Sequence, residues 1–241
     1  MSRLSLAFAL TALAVSALPA SAQLTISATK AGAYDDFGFN NPASTSYVTG
    51  QSFALTRAYF IFELPALDTG VLAASLRLYN PDFGYSSPDA TETLTIFHVS
   101  TAPVALANGT GDVAAFEDLG DGTAFGSVSV SAADNAGWIT ISLNASALAA
   151  LNGAASGSFA FGAALTSLDP TNFFDDELVF GFSDYEATPP ELALTLAPPD
   201  FTPVPEPSSF AFAGVGLVGL AGLLRRRRRA SPVALAGRVA S

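Results

Sequence analysis

The chain has 241 residues, of which 10 are Lys or Arg and 21 are Asp or Glu, so its formal net charge is −11. Hydrophobic residues make up 50% of the chain, charged residues only 13%, and cysteine is absent. This length provides a substantial core in one or two domains. The lack of cysteine excludes disulfides and cysteine-ligated metal sites. The acidic charge argues against a nucleic-acid partner, because phosphates would be repelled.

The N-terminal segment has the three parts of a secretory signal peptide. Arg3 precedes an apolar stretch at residues 4–18, and Pro19-Ala20-Ser21-Ala22 follows it. A basic start, a short apolar stretch and small residues at positions −3 and −1 are typical of a cleaved export signal. We therefore predict that residues 1–22 are a signal peptide, that cleavage falls between Ala22 and Gln23, and that the protein is exported by the general secretion machinery.

Residues 23–197 are predicted to form one all-β domain. Apolar residues alternate with Ser, Thr or charged residues, which places one face of each strand in a core and the other in water. Clusters of Gly, Pro, Asn and Asp separate the strands. One helix is predicted at residues 145–151, with Asn144 as its N-cap. The pattern indicates a single β-sandwich of jelly-roll type. Its nine predicted strands are residues 24–27, 60–64, 75–79, 93–97, 126–130, 138–143, 159–161, 178–182 and 191–196.

The C-terminal segment differs sharply from this domain. A proline-rich linker at residues 198–209 leads into an uncharged stretch at 210–224, and a basic tail at 225–241 follows. As a helix, the fifteen residues of the uncharged stretch would span about 22 Å, short of the ~30 Å hydrocarbon core, but flanking residues and snorkelling arginines narrow the difference. We predict a short transmembrane helix at 210–224.

A cluster of five consecutive arginines begins the basic tail and fixes the orientation of this helix. Positively charged residues stay on the cytoplasmic side of a membrane, so the β-domain is predicted to face outward. The members of this arginine cluster are Arg225, Arg226, Arg227, Arg228 and Arg229.

The tail resembles the PEP-CTERM protein-sorting signal of Gram-negative bacteria over about residues 203–229. The resemblance is carried by Val204-Pro205-Glu206-Pro207, the hydrophobic stretch and the arginine cluster. In that family a membrane-embedded exosortase processes the tail near the Pro-Glu-Pro motif, and the tagged proteins are associated with exopolysaccharide and biofilm formation. The resemblance implies exosortase as a partner, a precursor anchored in the inner membrane, and a final location at the cell surface or in the extracellular matrix. The extension at residues 230–241 is longer than the ending usual in the family.

A second segment is similar to the DNRLRE-type jelly-roll domain of secreted bacterial proteins. That family repeats a Phe-Asp-Leu strand followed by an Ala-x-Leu-x-Leu strand, a pattern matched here at roughly residues 55–80, with Glu63 in place of the usual Asp. Some of its relatives are carbohydrate-binding modules, which is what this resemblance implies for the domain.

Candidate chemistry is sparse. His98 is the single histidine, and no G-x-S-x-G sequence offers a nucleophilic serine beside it, so a catalytic triad is not expected. Pairs of carboxylates, which glycoside hydrolases use, occur at 35–36, 117–118 and 175–177. Acids in turns more often serve the turn itself.

Two kinds of ligand site are candidates. Calcium binds carboxylate and carbonyl oxygens in acid-rich loops, and it is the one cofactor that the sequence suggests. Exposed loop aromatics beside amides and carboxylates are typical of a glycan platform. The calcium candidates are Glu117, Asp118, Asp121, Asp175 and Asp176, and the platform candidates are Phe37, Phe39, Phe83 and Tyr85.

The sequence therefore predicts a secreted, non-enzymatic protein of the cell surface or extracellular matrix, with exopolysaccharide as a candidate partner. Residues 23–200 carry three basic and twenty acidic residues, a net charge of −17 that suits cations or neutral polymers such as glycans. Two alternatives stay open: a carbohydrate-binding module, and a glycoside hydrolase that uses paired carboxylates.

Overall fold

The structure is a computed structural model that describes residues 21–154, 156–169 and 176–198. Within those ranges, no helix has the length and apolar character needed to cross a membrane. Several predicted features lie outside the described residues. They are the bulk of the signal peptide, Asp175, the sorting motif at Val204–Pro207, the transmembrane helix at 210–224, and the cluster Arg225, Arg226, Arg227, Arg228 and Arg229.

The described part of the chain confirms the all-β prediction, because its strands pair into two antiparallel sheets. The first sheet has four strands in the order β1-β11-β5-β8, and the second has seven in the order β10-β3-β4-β9-β6-β7, with β2 paired to β4. The strands are β1 Ala22–Ser27, β2 Lys30–Asp35, β3 Thr49–Gln51, β4 Leu55–Leu64, β5 Val71–Asn80, β6 Glu92–His98, β7 Ala124–Val130, β8 Gly137–Ser142, β9 Gly157–Leu165, β10 Glu177–Val179 and β11 Glu191–Leu196.

Alternation along the strands builds the core between the two sheets. On β5, Leu76 and Leu78 are fully buried while Arg77 between them is half-buried on the outer face. From the larger sheet, Phe60, Phe62 and Phe161 join the same buried cluster. Burying each such side chain contributes roughly 1.5–3 kcal/mol, which is why the period-two pattern fixes which way these strands face.

The prediction of a single helix is wrong in number. The structure contains α1 Pro103–Asn108, α2 Asp112–Asp121 and α3 Ala145–Gly153, and the sequence predicts only α3. Helix α2 is hidden in the sequence because its N-cap, Gly111, offers no side-chain hydrogen bond and because Gly120 lies near its end. Tertiary packing forms it instead, since Phe116 and Leu119 are buried in a second hydrophobic cluster against the outer side of the seven-stranded sheet.

The predicted set of strands also needs three corrections, because it lacks β2 and β3 and makes one strand too long. Strand β2 is rich in Ala and Gly, and β3 is short and polar, so neither produces an apolar alternation. The strand predicted at residues 178–182 ends at Val179, because Phe180 and Phe182 adopt left-handed φ angles of 63° and 60°. The Phe-Gly-Phe alternation that suggests a strand belongs to a turn.

The segment similar to DNRLRE-type domains spans both sheets. Strand β4 lies in the seven-stranded sheet and β5 in the four-stranded sheet, and both contribute residues to the core between the sheets. The sandwich architecture is confirmed, while the likeness to that family stays a prediction.

Candidate functional site

The acids at residues 117–121 lie on helix α2 and not on the acid-rich loop that the calcium prediction assumes. Asp118 turns its carboxylate toward the segment after β6. It accepts hydrogen bonds from the backbone N and Oγ of Ser100, both 2.9 Å, and from the backbone N and Oγ1 of Thr101, 2.6 and 2.7 Å. Burial alone raises the pKa of this carboxyl, but the hydrogen bonds from Thr101 and Ser100 outweigh it and leave the pKa lowered.

The neighbouring acids face Arg57 of β4. Its guanidinium donates to the backbone oxygens of Phe116 and Glu117, at 3.0 and 2.9 Å, and lies 4.4 Å from the centre of the Phe116 ring. Burial lowers the pKa of Arg57, and the charges of Asp121 and Glu117 partly offset that effect. These contacts therefore hold α2 on the sheet.

Asp176 lies elsewhere, just before β10, and Asp175 is outside the described residues. Among the residues that the structure describes, no group of three or more His, Asp or Glu side chains is placed to hold a metal ion. The four calcium candidates that the structure describes are thus not brought together into one metal site.

His98 ends β6 and packs against the core. Its ring meets that of Phe125 edge-on, with centroids 5.6 Å apart, and its backbone N donates to the oxygen of Thr123. These contacts are those of a packed histidine at a strand end.

The four platform candidates divide into three groups. Phe37 and Phe39 are 77% and 66% exposed on one loop, where Oδ1 of Asp35 accepts hydrogen bonds from both backbone amides. Phe83 is 79% exposed on a second loop. Tyr85 is not the exposed loop aromatic that the prediction assumes, because this residue is only 8% exposed and its hydroxyl donates to the backbone oxygen of Asp89.

A second exposed phenylalanine lines the same cavity as Phe83. Phe182, which the sequence places in a core strand, is 84% exposed and lines the same surface cavity as Phe83. This cavity, which we call the aromatic cleft, has a volume of about 350 Å³. Its lining residues are Phe83, Gly84, Tyr85, Ser86, Asp176, Leu178, Gly181 and Phe182.

A buried asparagine ties together the two turns that carry these rings. Asn80 is fully buried at the end of β5, where its Oδ1 accepts from the backbone N of Phe180 at 3.1 Å. Its Nδ2 donates to Oδ1 of Asn135 at 2.8 Å, and that oxygen also accepts from the backbone N of Tyr85. The turns also bond directly, since the amide of Gly181 donates to the oxygen of Gly84 at 2.9 Å. The aromatic cleft is therefore built from fixed backbone.

Two buried glutamates that sequence reasoning missed lie near β10. Glu92 is fully buried at the start of β6 and accepts hydrogen bonds from the hydroxyls of Ser87 and Ser167. Glu177 is 3% exposed and accepts from the backbone N of Asp169 at 3.2 Å. Burial raises the pKa of Glu177, and the negative charges of Glu92, Asp89 and Asp169 add to that rise. A carboxylate that begins a strand gives no sequence signal of its burial.

The predicted signal cleavage site falls at the edge of the smaller sheet. Ala22 and Gln23 are the first residues of β1, opposite Leu196 and Thr195 of β11. Cleavage between them would remove one residue of β1 and leave five.

Comparison with known proteins identifies the tail. The sequence profile of the PEP-CTERM protein-sorting motif matches residues 203–229. This range contains the predicted sorting motif, Val204–Pro207, so the predicted PEP-CTERM resemblance is confirmed. No curated protein matches the chain. The matched range also contains all five members of the arginine cluster, Arg225, Arg226, Arg227, Arg228 and Arg229.

Proposed function

We propose that this chain, which carries a PEP-CTERM sorting signal, is a non-enzymatic structural or adhesive component of the cell surface or extracellular polysaccharide matrix. The sorting motif marks an exported precursor that passes the membrane and is targeted by exosortase. The precursor would be held in the inner membrane by its C-terminal helix until exosortase acts near Pro205-Glu206-Pro207.

The single observation that carries this proposal is the motif match at residues 203–229. Its parts occur in the order that anchoring and processing require: a Pro-Glu-Pro segment, an apolar stretch and a basic end. Positively charged residues stay on the cytoplasmic side, so this order leaves the β-sandwich outside.

The charge of the β-sandwich supports a role in a hydrated matrix. Each of its three basic residues is engaged locally: Lys30 donates to the oxygen of Pro42, Arg57 to the oxygens of Phe116 and Glu117, and Arg77 pairs with Glu191. The twenty acids of residues 23–200 leave a strongly negative domain, which favours solubility and repels anionic phospholipid surfaces.

Intact mass spectrometry of the protein, recovered separately from membranes and medium of its host, tests this proposal. We expect the membrane form to run from Gln23 to Ser241 and the medium form to end near the Pro-Glu-Pro segment. The variant Glu206→Gln should accumulate in membranes with its tail intact. A matched change just outside the motif, Asp200→Asn, should leave processing as in the wild type.

Two outcomes would overturn the proposal. A medium form that still carries Arg225–Arg229 would show export without sorting. A protein found solely in membranes with its whole tail, in a host with active exosortase, would leave a simple membrane-anchored domain.

A further inference from the structure

We propose that the aromatic cleft binds a cationic polysaccharide, one whose pyranose rings carry protonated amino groups. This ligand class rests on the proposed function in one respect, since export places the domain among extracellular polymers. The binding surface is formed by Phe83 and Phe182, which the sequence pattern assigns to a loop and to a core strand.

The two rings of the cleft are unusually exposed. Phe83 and Phe182 are 79% and 84% exposed although both line a single cavity. Covering an aromatic ring with the apolar face of a ligand contributes a large hydrophobic term to binding. Two rings beside one cavity offer a ligand more apolar contact area than a single surface phenylalanine does. The axial C–H groups of a pyranose ring form a flat apolar face of the size that stacks on such a ring.

The backbone holds the two rings in place at a conformational cost. Phe83 and Phe182 have φ angles of 59° and 60°, a conformation that bulky residues rarely adopt and that costs on the order of 1–3 kcal/mol each. Gly and Asn fit these positions without that cost. Asn80 accepts a hydrogen bond from the backbone N of Phe180, and Gly181 donates one to Gly84, so both turns are held and the rings are presented before a ligand arrives.

The charge around the cleft selects among glycans. Asp176 lines the cleft and is exposed, and Asp82 precedes Phe83 in the chain. Among the described lining residues none is basic, and each of the three basic residues in residues 23–198 is engaged at another place. An anionic polymer would be repelled by this surface, whereas an ammonium group on a sugar ring pairs with the carboxylate.

The cleft has polar groups that suit the rest of a sugar ring. Ser86 lines it beside Leu178, and the two residues exchange backbone hydrogen bonds of 2.9 and 2.6 Å that fix this wall. A sugar with hydroxyls on its edge, an apolar face and an ammonium group satisfies the hydroxyl, the rings and the carboxylate at once. A basic peptide offers the charge without a flat apolar face.

Calorimetric titration of the mature protein, isolated from its host, tests the inference. The probes are the hexasaccharide of glucosamine, the hexasaccharide of N-acetylglucosamine, an alginate oligosaccharide and hexalysine, all at mildly acidic pH. We expect the glucosamine oligomer to bind at least about tenfold more tightly than the acetylated one, because acetylation removes the charge and keeps the ring. Alginate and hexalysine should not bind measurably.

Variants then locate the site. Phe83→Asn and Phe182→Asn should each weaken glucosamine binding at least about tenfold. Asn tolerates left-handed φ, so the thermal midpoint of either variant should be unchanged or higher. Phe53→Asn is the matched control: Phe53 is 104% exposed and does not line the cleft, so its loss should leave binding unchanged. Asp176→Asn should reduce the preference for glucosamine over its acetylated form.

Several results would overturn the inference: no binding of the glucosamine oligomer, equal binding of both hexasaccharides, equal binding of hexalysine, or binding that survives Phe83→Asn and Phe182→Asn. Normal processing of the tail alongside any of these would leave the proposed function standing. Failure of tail processing with intact glucosamine binding would instead contradict the proposed function alone.

Discussion

At the scale of single residues, Asp118 is a candidate metal ligand in the sequence whose carboxylate instead stabilises the fold. Its four hydrogen bonds join α2 to Ser100 and Thr101. An asparagine in its place offers one acceptor oxygen and no charge, so Asp118→Asn should lower the free energy of unfolding by about 1–2 kcal/mol. Chemical denaturation measures this, with Asp68→Asn, the same change at an exposed carboxylate between β4 and β5, as the control expected near zero.

The lowered pKa of Asp118 also gives a pH dependence. A carboxyl whose pKa is lower in the folded state stabilises the fold above the usual aspartate pKa of about 3.9, and that contribution is lost as the pH falls through the folded value. The difference in stability between wild type and Asp118→Asn should therefore shrink on acidification. A difference that stays constant down to the lowest pH at which the protein is folded would contradict the assignment.

Glu177 should behave in the opposite way. Burial raises the pKa of its carboxyl, with Glu92, Asp89 and Asp169 as the charges that face it. A carboxyl with a raised pKa contributes stability below its usual value of about 4.3, and this contribution is lost as the pH rises through the folded value. Glu177→Gln keeps the shape and removes the buried charge, so it should raise stability at neutral pH on the order of 1 kcal/mol.

Thermal melts of Glu177→Gln between acidic and neutral pH measure this. The gain over wild type should grow with pH and vanish at low pH, where the wild-type carboxyl is protonated. Glu186→Gln, a change at an exposed carboxylate near β10, should show no such trend. Destabilisation of Glu177→Gln at neutral pH would show that the charge itself is needed.

At the scale of elements, two helical glycines make a matched test of how α2 is held on the sheet. A Cβ at Gly120 of α2 would lie 2.5 Å from Nε of Arg57, whereas a Cβ at Gly153 of α3 would meet nothing within 4 Å. Arg57 is fixed by its two hydrogen bonds to α2 and cannot move aside without losing them. Gly120→Ala should destabilise the protein by about 1 kcal/mol, the loss of hydrogen bonds outweighing the helix propensity gained.

Gly153→Ala should have the opposite sign. The substitution removes the entropic cost of glycine at no steric cost and should stabilise the protein by up to about 1 kcal/mol. Urea unfolding of both variants measures the pair. Equal effects at the two positions would show that contact with Arg57 does not restrict Gly120.

One-sided burial and helix capping explain which elements can be predicted from the sequence. Strands such as β5 and β8 bury one face, so their alternation is visible in the sequence and the prediction of both strands is confirmed. Helix α3 is visible as well, because Asn144 accepts hydrogen bonds from the amides of Ser146 and Ala147 and so acts as the predicted N-cap. Helix α2 has no such cap and forms only against the sheet, so its acids have the pattern of a loop.

The candidate site is less predictable than the fold for a definite reason. Phe83 and Tyr85 look alike as loop aromatics, yet the turn at Gly84 leaves the first exposed and buries the second. Phe182 has the sequence pattern of a core residue because Phe-Gly-Phe has the spacing of a strand. Left-handed φ angles are typical of Gly and Asn, so no residue type indicates them at these phenylalanines. The contact that decides the geometry joins Gly84 to Gly181, far apart in the chain.

At the scale of the whole molecule, the chain combines an acidic domain with a basic end. Residues 23–200 have a net charge of −17, and five arginines follow the apolar stretch of the sorting motif. If the arginines orient the tail, replacing Arg225–Arg229 with serine should remove the barrier to translocation of the C-terminal end without lengthening the apolar stretch at 210–224. Each arginine costs roughly 2.5–3.5 kcal/mol at the centre of a membrane helix, so five of them stop transfer where an uncharged polar segment does not.

We therefore expect the serine variant to leave the membrane with its tail unprocessed, as a soluble form whose mass extends to Ser241. Fractionation followed by intact mass spectrometry measures both properties. Arg238→Ser, outside the matched segment, is the control and should be processed like the wild type. Normal cleavage of the serine variant near Pro205-Glu206-Pro207 would contradict a role for the arginines, and would mean that exosortase recognition depends on the Pro-Glu-Pro segment and the apolar stretch alone.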